Sequence, residues 1–366
     1  MLSPTNSRRG QLLQNYIRVR VIDMTGIDIG LYDYDRHFSI YFFAVSPDEQ
    51  IYLRYGGRDA RSADSYLDLD SLVLALEAGL EQHERWKRGE LPKTERPAPK
   101  FPRDIEMLRN AEMTGGRVTG RRCIECHMIS DYDVVAKEAA GTLDKPRDIF
   151  RSPDIRDIGI HLDVPKGLVV ADVTGVAAGG GMSTGDTIVE IEGTPVLTFG
   201  DFLHVYDHVD RSSTELSLAV ERRASPGGKA TRVELELELP PLWWVHDLKY
   251  RRWSVDPVTY FDSEPLPAER KTALGLKPLG FACEVTKVRH WASVLGNHTL
   301  EPGDVIVSVD GVETDPLATS CALYIQLRVR AGDSVTLGVI RNGESIDTPL
   351  NTERKHFRKS LRSRIG

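Results

Sequence analysis

The stretch "GRRCIECHMISDYD" (residues 120–133) places two cysteines and a histidine within five positions, in a chain that has four cysteines in 366 residues. The spacing Cys123-x-x-Cys126-His127 is that of c-type haem attachment, in which both thiols bond to the haem and the histidine binds iron. Two other chemistries use the same residue types: a zinc or iron site completed from elsewhere, and a dithiol-disulfide pair. The remaining interpretation is an ordinary helix start.

Each of these centres needs partners from the rest of the chain. A haem iron would need a sixth ligand, for which Met113, Met128 or a distant histidine is a candidate. Zinc would need a fourth ligand, which the local sequence lacks unless His161 or another of the 10 histidines reaches it. A bare dithiol would use His127 to help form the thiolate. We therefore expect haem c, with His127 as the metal ligand, or else no cofactor.

The other two cysteines carry no such pattern. Cys283 lies in a β-type run and Cys321 in an apolar, helix-type stretch. Buried cysteines of this kind behave as small hydrophobic side chains. We predict that role for both of them and expect no disulfide framework.

The longest signal in the sequence is an internal repeat. Residues 158–193 and 274–311 share an apolar-Gly-apolar step, a β-type run, and a Gly-Asp step followed by an alternating strand that ends in glycine. Asp186 precedes Gly193 by the same interval that separates Asp304 from Gly311. Each copy continues with a helical stretch and two further β-type runs, so the sequence predicts two domains of one type.

This pattern resembles the PDZ domain in its bacterial, HtrA-type arrangement. The resemblance implies that the two apolar-Gly-apolar loops aim backbone N–H groups at the terminal carboxylate of a peptide, which then joins the sheet edge. It also implies that the following helix lines the side-chain pocket. The residues implied in the first copy are Ile158, Gly159, Ile160, Phe202, Leu203 and Tyr206. Those implied in the second copy are Leu274, Gly275, Leu276, Leu317, Cys321 and Tyr324.

HtrA-type proteins carry a serine protease ahead of their PDZ domains, but no Gly-Asn-Ser-Gly-Gly stretch occurs in this sequence. Protease activity is therefore not expected, and an oxidoreductase role stays open. The partners implied by the resemblance are protein C-termini or extended peptides, together with a redox partner for the Cys-x-x-Cys-His motif.

The first 90 residues have a different pattern. The sequence predicts strands over Ile17–Asp23, Phe38–Val45 and Ile51–Gly57, then a helix that begins at Asp68 or Asp70 and ends near residue 89. This order resembles the later half of a thioredoxin-like domain, whose redox motif would lie upstream of the first strand. No cysteine precedes that strand, and Arg36 and His37 stand where such folds place a cis-proline.

The connecting segments have distinctive compositions. A proline-rich stretch is predicted to be a stiff, extended linker. A tryptophan-rich connector is predicted to pack two domains together through Trp243, Trp244, Trp253 and Phe261. The predicted organisation is a thioredoxin-like part (1–90), the linker (91–102), a helical segment (103–150), a PDZ domain (151–240), the connector (241–264), a second PDZ domain (265–350) and a basic tail (351–366).

Taken together, the order of these parts resembles a family of bacterial thioredoxin-like/PDZ proteins, some of which are selenoproteins. In that family the redox pair lies N-terminal to the segment that matches Ile17. A selenocysteine codon reads as a stop, so this chain would then begin at a methionine downstream of it. We expect the N-terminal part to be either such an incomplete module or a redox-inactive one.

Composition narrows the class of protein. Hydrophobic residues make up 40% and the formal net charge is -7, which disfavours nucleic-acid binding. No apolar run approaches the length of a membrane-spanning helix, and the first residues lack the apolar region of a secretion signal. As written, the chain is predicted to be cytoplasmic. Because haem is attached outside the cytoplasm, an incomplete start would make it periplasmic or associated with the cell envelope.

The sequence thus predicts a multidomain α/β and mainly-β protein: a partial thioredoxin-like α/β module followed by two PDZ-like, partly open β-barrels. The expected function is binding of peptides or partner proteins, with a redox or haem centre attached. The alternative is a redox protein, acting by haem electron transfer or thiol exchange, that its PDZ domains localise.

Overall fold

The computed structural model describes residues 4–38, 40–92, 95–105, 126–225, 227–246 and 257–354. The chain divides into two compact units. One comprises Met1–Asp133 with Pro146–Arg251, and the other comprises Val134–Lys145 with Arg252–Gly366. The N-terminal part and the first repeat therefore belong to a single unit. Within the described ranges, no helix is long and apolar enough to cross a membrane.

The N-terminal part is a β-hairpin packed on a long helix. Its elements are α1 (Arg8–Leu13), β1 (Tyr41–Val45), β2 (Ile51–Gly56) and α2 (Leu69–Lys87). The two strands are antiparallel. Asp68, one of the two residues at which the sequence predicts that the helix begins, caps α2 by accepting a hydrogen bond from the Asp70 amide at 2.7 Å. Leu53 and Tyr55 of β2 pack on Leu72 and Ala75 of α2.

The predicted strand over Ile17–Asp23 is wrong. This segment has no strand partner among the described residues, and the Ile17 side chain is 96% exposed. Alternation of apolar and charged residues predicts a strand only where a neighbouring strand completes the ladder and a core covers one face. Both are missing here, so the pattern alone does not produce a strand.

The proline-rich segment is not a free linker. Its Lys100 carbonyl accepts a hydrogen bond from the Ile29 amide at 2.7 Å, and the Lys100 amide donates to Asp28 Oδ1 at 3.1 Å. Arg96 contacts the carboxylates of both Asp28 (3.2 Å) and Glu49 (2.8 Å). The segment thus lies against the loop after residue 23. Its backbone and side-chain groups bind partners in the protein, whereas those of a free, extended linker would bind water.

The first repeat contains two antiparallel sheets and a helix that packs on one of them. Two helices precede it, α3 (Cys126–Ala139) and α4 (Lys145–Asp148). Its own elements are β3 (Ile160–Leu162), β4 (Val170–Val173), α5 (Gly175–Gly179), β5 (Thr187–Ile191), β6 (Thr194–Pro195), α6 (Phe199–His208), β7 (Glu215–Arg223) and β8 (Ala230–Glu238). The strand orders are β3-β4 and β6-β5-β7-β8.

The second repeat follows the same plan with a five-stranded sheet. Its elements are β9 (Pro257–Val258), β10 (Phe261–Pro265), α7 (Ala268–Ala273), β11 (Cys283–Val288), β12 (Val305–Val309), α8 (Cys321–Arg328), β13 (Ser334–Arg341), β14 (Glu344–Asn351) and β15 (Glu353–Arg354). The strand orders are β10-β11-β12-β13-β14 and β15-β9. All pairings are antiparallel, and the described strands form several small sheets and no closed barrel.

The predicted connector (241–264) and the predicted tail (351–366) have other boundaries in the structure. Strands β9 and β10 lie in the predicted connector, and β15 lies in the predicted tail. Trp243 and Trp244 are buried in the first unit, where their indole N–H groups donate to the carbonyls of Ser213 (3.2 Å) and Arg211 (3.0 Å). Trp253 lies outside the described residues.

The Gly-Asp step builds the same buried ion pair in both repeats. Arg222 of β7 donates two hydrogen bonds to the Asp186 carboxylate, from Nε at 2.8 Å and from Nη2 at 2.7 Å. Arg341 of β13 grips Asp304 with two N–H groups, both at 2.7 Å. Both carboxylates are buried, and a two-pronged guanidinium-carboxylate contact is among the strongest side-chain hydrogen bonds.

The glycine that ends the alternating strand also has one role in both repeats. Glu192-Gly193 and Asp310-Gly311 each carry two consecutive positive φ angles, 48° and 69° in the first pair and 50° and 76° in the second. Two such residues in succession make the type I′ hairpin turn, for which glycine is favoured at the second position. The sequence places a glycine at the end of the alternating strand in both copies, and in the structure that glycine closes a hairpin at positive φ.

We predict that Asp304→Asn lowers the free energy of unfolding by about 2 to 3 kcal/mol, because Arg341 loses its charged acceptor. Asp262→Asn is the matched control, since its pair with Arg289 is exposed and should cost less than about 1 kcal/mol. Urea unfolding monitored by circular dichroism measures both. Equal losses in the two variants would contradict the importance of the buried pair.

The same pair should depend on pH. Burial alone raises the pKa of Asp304, but the hydrogen bonds from Arg341 and the Glu301 amide lower it below its ordinary value. A depressed pKa in the folded state gives stability above the unfolded-state pKa of about 3.9, and that stability is lost as the pH falls through the folded-state value. The difference in the free energy of unfolding between wild type and Asp304→Asn should therefore become smaller as the pH is lowered, which urea unfolding at several pH values measures.

Candidate functional site

The predicted carboxylate loop of the first repeat is a tight turn. A single 3₁₀ turn over Ile155–Ile158 is capped by Asp154, which accepts a hydrogen bond from the Arg156 amide at 3.0 Å. Gly159 follows with φ 85°; its N–H donates to the Arg156 carbonyl and its carbonyl accepts from Thr174, both at 2.9 Å. A Cβ at Gly159 would lie 1.9 Å from the Thr174 carbonyl oxygen, so only glycine fits.

The predicted peptide contacts of the first repeat are all inaccessible. Ile158 and Ile160 of the loop are completely buried, and so are Phe202 and Tyr206 of helix α6. Tyr206 packs against Trp243 with ring centroids 5.0 Å apart and the rings tilted by 37°. A peptide could reach these side chains only after part of the protein moved away.

A segment of the chain itself lies on helix α6. We call Arg54–Asp59 the covering segment. The Arg54 amide donates to Asp201 Oδ1 at 2.7 Å, and Gly57 approaches Phe199 so closely that a Cβ would be 2.8 Å from its ring. Tyr66 stacks on the same ring with centroids 3.7 Å apart. The N-terminal part therefore covers α6 at Phe199 and Asp201, and Gly57 also approaches Leu203, one of the residues that the resemblance assigns to the pocket.

The covering segment ends in a charge contact at the loop. Asp59 Oδ2 lies 2.5 Å from Arg156 Nη1, and both side chains are largely buried. Arg156 belongs to the turn that precedes Gly159. An internal carboxylate thus lies beside the loop to which the resemblance assigns the carboxylate of a bound peptide.

Burial also affects Asp201, the residue of α6 that accepts the hydrogen bond from the Arg54 amide. Burial raises the pKa of Asp201 to about 6, while hydrogen bonds from the Arg54 amide and from Thr198 oppose the rise. A cavity of about 200 Å³ lies beside Gly56 of the covering segment and Phe199 of α6. It is lined mainly by apolar side chains, among them Tyr55, Leu74, Leu168 and Phe199.

In the second repeat, the loop that corresponds to Gly159 is not the one that we predicted. The Arg289 amide donates to the Tyr260 carbonyl at 2.8 Å, as the Thr174 amide does to Gly159, and Tyr260 has φ 58°. Strand β10 follows Tyr260 and pairs with β11, as β3 follows Gly159 and pairs with β4. The corresponding loop is therefore Thr259-Tyr260-Phe261.

Leu274, Gly275 and Leu276 lie elsewhere. They follow helix α7 in the connection from β10 to β11, so they do not occupy the position that Gly159 has in the first repeat. Gly275 stands about as far ahead of Gly303 as Gly159 stands ahead of Gly185, which explains why the sequence aligns the two glycines. The additional helix separates Tyr260 from the Gly-Asp step, and spacing in the sequence cannot reveal this.

The predicted helix residues of the second repeat have mixed environments. Leu317 and Tyr324 are half-buried, and Tyr324 stacks on Phe281 with ring centroids 4.6 Å apart. Cys321 is fully buried and bonded to Cys283 in a disulfide, so it does not line an open pocket. The prediction that these two cysteines are unpaired hydrophobic residues is also wrong.

The two cysteines meet because the fold stacks the start of α8 on β11. Their Cα atoms are 6.0 Å apart, a separation that disulfides commonly span. Ser320 caps α8 by accepting from the Leu323 amide at 3.2 Å, which fixes the position of Cys321. The bond therefore fastens α8 to the sheet.

Strand β10 lies at the end of its sheet. It pairs with β11 on one side, and on the other side it has no strand partner among the described residues. After the buried Phe261, its residues are half-buried or exposed. Such an edge offers unpaired backbone groups to an added strand.

The Cys-x-x-Cys-His motif is only partly described. Cys123 lies outside the described residues, and so does the side chain of His127. Cys126 begins α3, and its Sγ accepts a hydrogen bond from the Tyr34 hydroxyl at 3.0 Å. Burial and the neighbouring thiol raise the pKa of Tyr34. The described residues therefore do not assemble the donor set of a haem or metal centre at this motif.

Comparison with known proteins adds little. No protein-family model and no curated protein matches the sequence. Among solved structures, the HtrA-type protease AlgW with a decapeptide is similar at 17% identity, over 38% of this chain and 50% of that one, with a TM-score of 0.22. AlgW with a tripeptide is similar at 17% identity, over 37% and 52%, with a TM-score of 0.23.

These matches span only about half the length of the AlgW chains. Their TM-scores are too low to assign a fold or a function. The correspondence between the two repeats therefore rests on their own hydrogen bonds and strand order.

We predict that Cys283 and Cys321 resist alkylation by iodoacetamide in unfolded protein until a reductant is added, whereas Cys126 is alkylated without one. Peptide mapping by mass spectrometry distinguishes these sites. Replacing both paired cysteines with alanine should lower the free energy of unfolding by about 4 kcal/mol, for a loop closed across 38 positions. Alkylation of Cys283 or Cys321 before reduction would show that the bond does not form.

Proposed function

We propose that this chain binds extended peptides through the second repeat, with the outer edge of β10 as the docking strand. The peptide's terminal carboxylate would lie at the Thr259-Tyr260-Phe261 loop. The observation that carries the proposal is the match between this loop and the first repeat's Gly159 turn, in hydrogen bond and in positive φ. Helix α8 would form the opposite wall of the groove.

The backbone of the loop supports this assignment. The Tyr260 amide has no hydrogen-bond acceptor among the described residues, whereas the Gly159 amide donates to Arg156. A backbone N–H that lacks an internal partner favours an external acceptor. A carboxylate is a strong acceptor because the hydrogen bond is assisted by its charge.

The contrast with the first repeat gives a reason for two copies. In the first, the covering segment occupies α6 and the loop residues are buried. In the second, strand β10 has no outer strand partner among the described residues, and Leu317 and Tyr324 are only half-buried. We infer that the first repeat holds the N-terminal part and that the second repeat is the one open to partners.

The disulfide is relevant to the cell compartment in which the protein works. Disulfides of this structural kind persist in oxidising surroundings and are rare in a reducing cytosol. The Cys283–Cys321 bond therefore supports the proposal that the protein works in the periplasm or cell envelope. The resemblance to bacterial thioredoxin-like/PDZ proteins stands as part of this proposal, with protein C-termini as the partners.

We predict that a pool of fluorescein-labelled decapeptides ending in valine binds the full chain at least about tenfold more tightly as free acids than as amides. Fluorescence anisotropy measures both. Tyr260→Pro, which cannot adopt φ 58° and has no N–H, should lose the preference for acids. Tyr260→Gly keeps both features and is the matched control. Equal binding of acids and amides by the wild type would refute the proposal.

A redox role for the Cys-x-x-Cys-His motif stays a prediction. The contact that favours it is the hydrogen bond from Tyr34 to the half-buried thiol of Cys126. Protein made with export and haem-maturation machinery should keep a Soret band after denaturation if haem is covalently attached. Its absence, with two titratable thiols in the motif, would assign the motif to thiol exchange.

A further inference from the structure

Two histidines and an aspartate converge on one face of helix α6. His204 and His208 are one turn apart, and their ring centroids are 4.7 Å apart. Asp33 comes from the N-terminal part of the same unit, and its Oδ2 lies 3.5 Å from His208 Nε2. One ligand atom from each of the three residues lies within 4.8 Å of the others, a spacing that a single metal ion can bridge.

Each of the two histidines has a ring nitrogen that could bind a metal ion through its lone pair. The His208 Nδ1 lies 2.7 Å from the His204 carbonyl oxygen, which can only accept, so Nδ1 carries the proton. Nε2 is then the nitrogen with the free lone pair, and it is the one that faces Asp33. A backbone contact that fixes the tautomer in this way is typical of histidines that bind metals. His204 Nδ1 is buried and makes no hydrogen bond within the described part of the chain.

The three side chains supply donor types that metal ions use in proteins. A cation between them would meet two imidazole nitrogens and one carboxylate oxygen.

Neighbouring charged side chains affect how strongly Asp33 could bind a cation. Arg151 Nη2 lies 3.3 Å from Asp33 Oδ2 and would compete with a cation for that oxygen. Arg151 also has a second carboxylate partner, Asp207, through its Nε. It can therefore keep one ion pair while Asp33 turns to a metal. Asp35 and Asp207 also interact with the charge of Arg151, and Arg36 Nη1 lies 3.8 Å from Asp33 Oδ1.

We propose that Asp33, His204 and His208 form a zinc-binding site that joins the N-terminal part to helix α6. Two imidazole nitrogens and one carboxylate oxygen, with water in the fourth position, are a donor set that Zn²⁺ accepts and that Ca²⁺ and Mg²⁺ do not favour. Because the ligands come from both parts of the unit, bound zinc stabilises the contact that covers the first repeat. The proposal does not depend on peptide binding.

The test uses the full chain with Cys123→Ser and Cys126→Ser, so that the cysteine motif cannot bind the metal. After chelator treatment, titration with zinc chloride by isothermal calorimetry should show one site, and zinc should raise the melting temperature. Magnesium chloride should do neither. His208→Ala, a change at an exposed position, should weaken zinc binding by about tenfold or more.

His298→Ala is the matched control, because this exposed histidine lies in the other unit and should leave zinc binding unchanged. Asp33→Asn gives a second test that leaves both histidines in place, and it should also weaken binding. Absence of zinc binding by the cysteine-free chain, or equal affinity in His208→Ala and His298→Ala, would overturn the proposal.

Discussion

The buried contact between an arginine and the aspartate of the Gly-Asp step is the interaction on which both repeats depend. In each, the guanidinium reaches across the sheet from β7 or β13 to a carboxylate just before β5 or β12. An unpaired carboxylate at these buried positions would be costly, so the strand and the turn must stay together. This fixes the sheet against which the loop, the edge strand and the helix are placed.

On this common framework the two repeats have different surroundings. The first is covered by residues that precede it in the chain, through Gly57 on Phe199 and Asp59 on Arg156. The second has an edge strand without a strand partner among the described residues, and a disulfide that ties its helix to the sheet. One fold thus serves two purposes: the first copy packs the N-terminal part, and the second is proposed to bind peptides.

Several features of the candidate site were predictable from the sequence, and the errors have physical causes. The sequence singled out Gly159 as part of the loop before a strand, and the structure places it in a turn at positive φ. Its counterpart Tyr260 was missed, since a tyrosine at positive φ leaves no compositional signal and helix α7 changes the spacing. The pairing of Cys283 with Cys321 was missed because two cysteines far apart in the chain give no sign that a helix will stack on a strand.

By itself, the sequence determined the repeat, the hairpin turns closed by glycine and the cap of helix α2, because these depend on local spacing and on the backbone preferences of single residues. Only the tertiary structure decided which groove is covered, which loop corresponds to Gly159, and that Asp33 meets His204 and His208. These depend on contacts between distant parts of the chain. A period of apolar residues shows that a face will be buried, but not what will bury it.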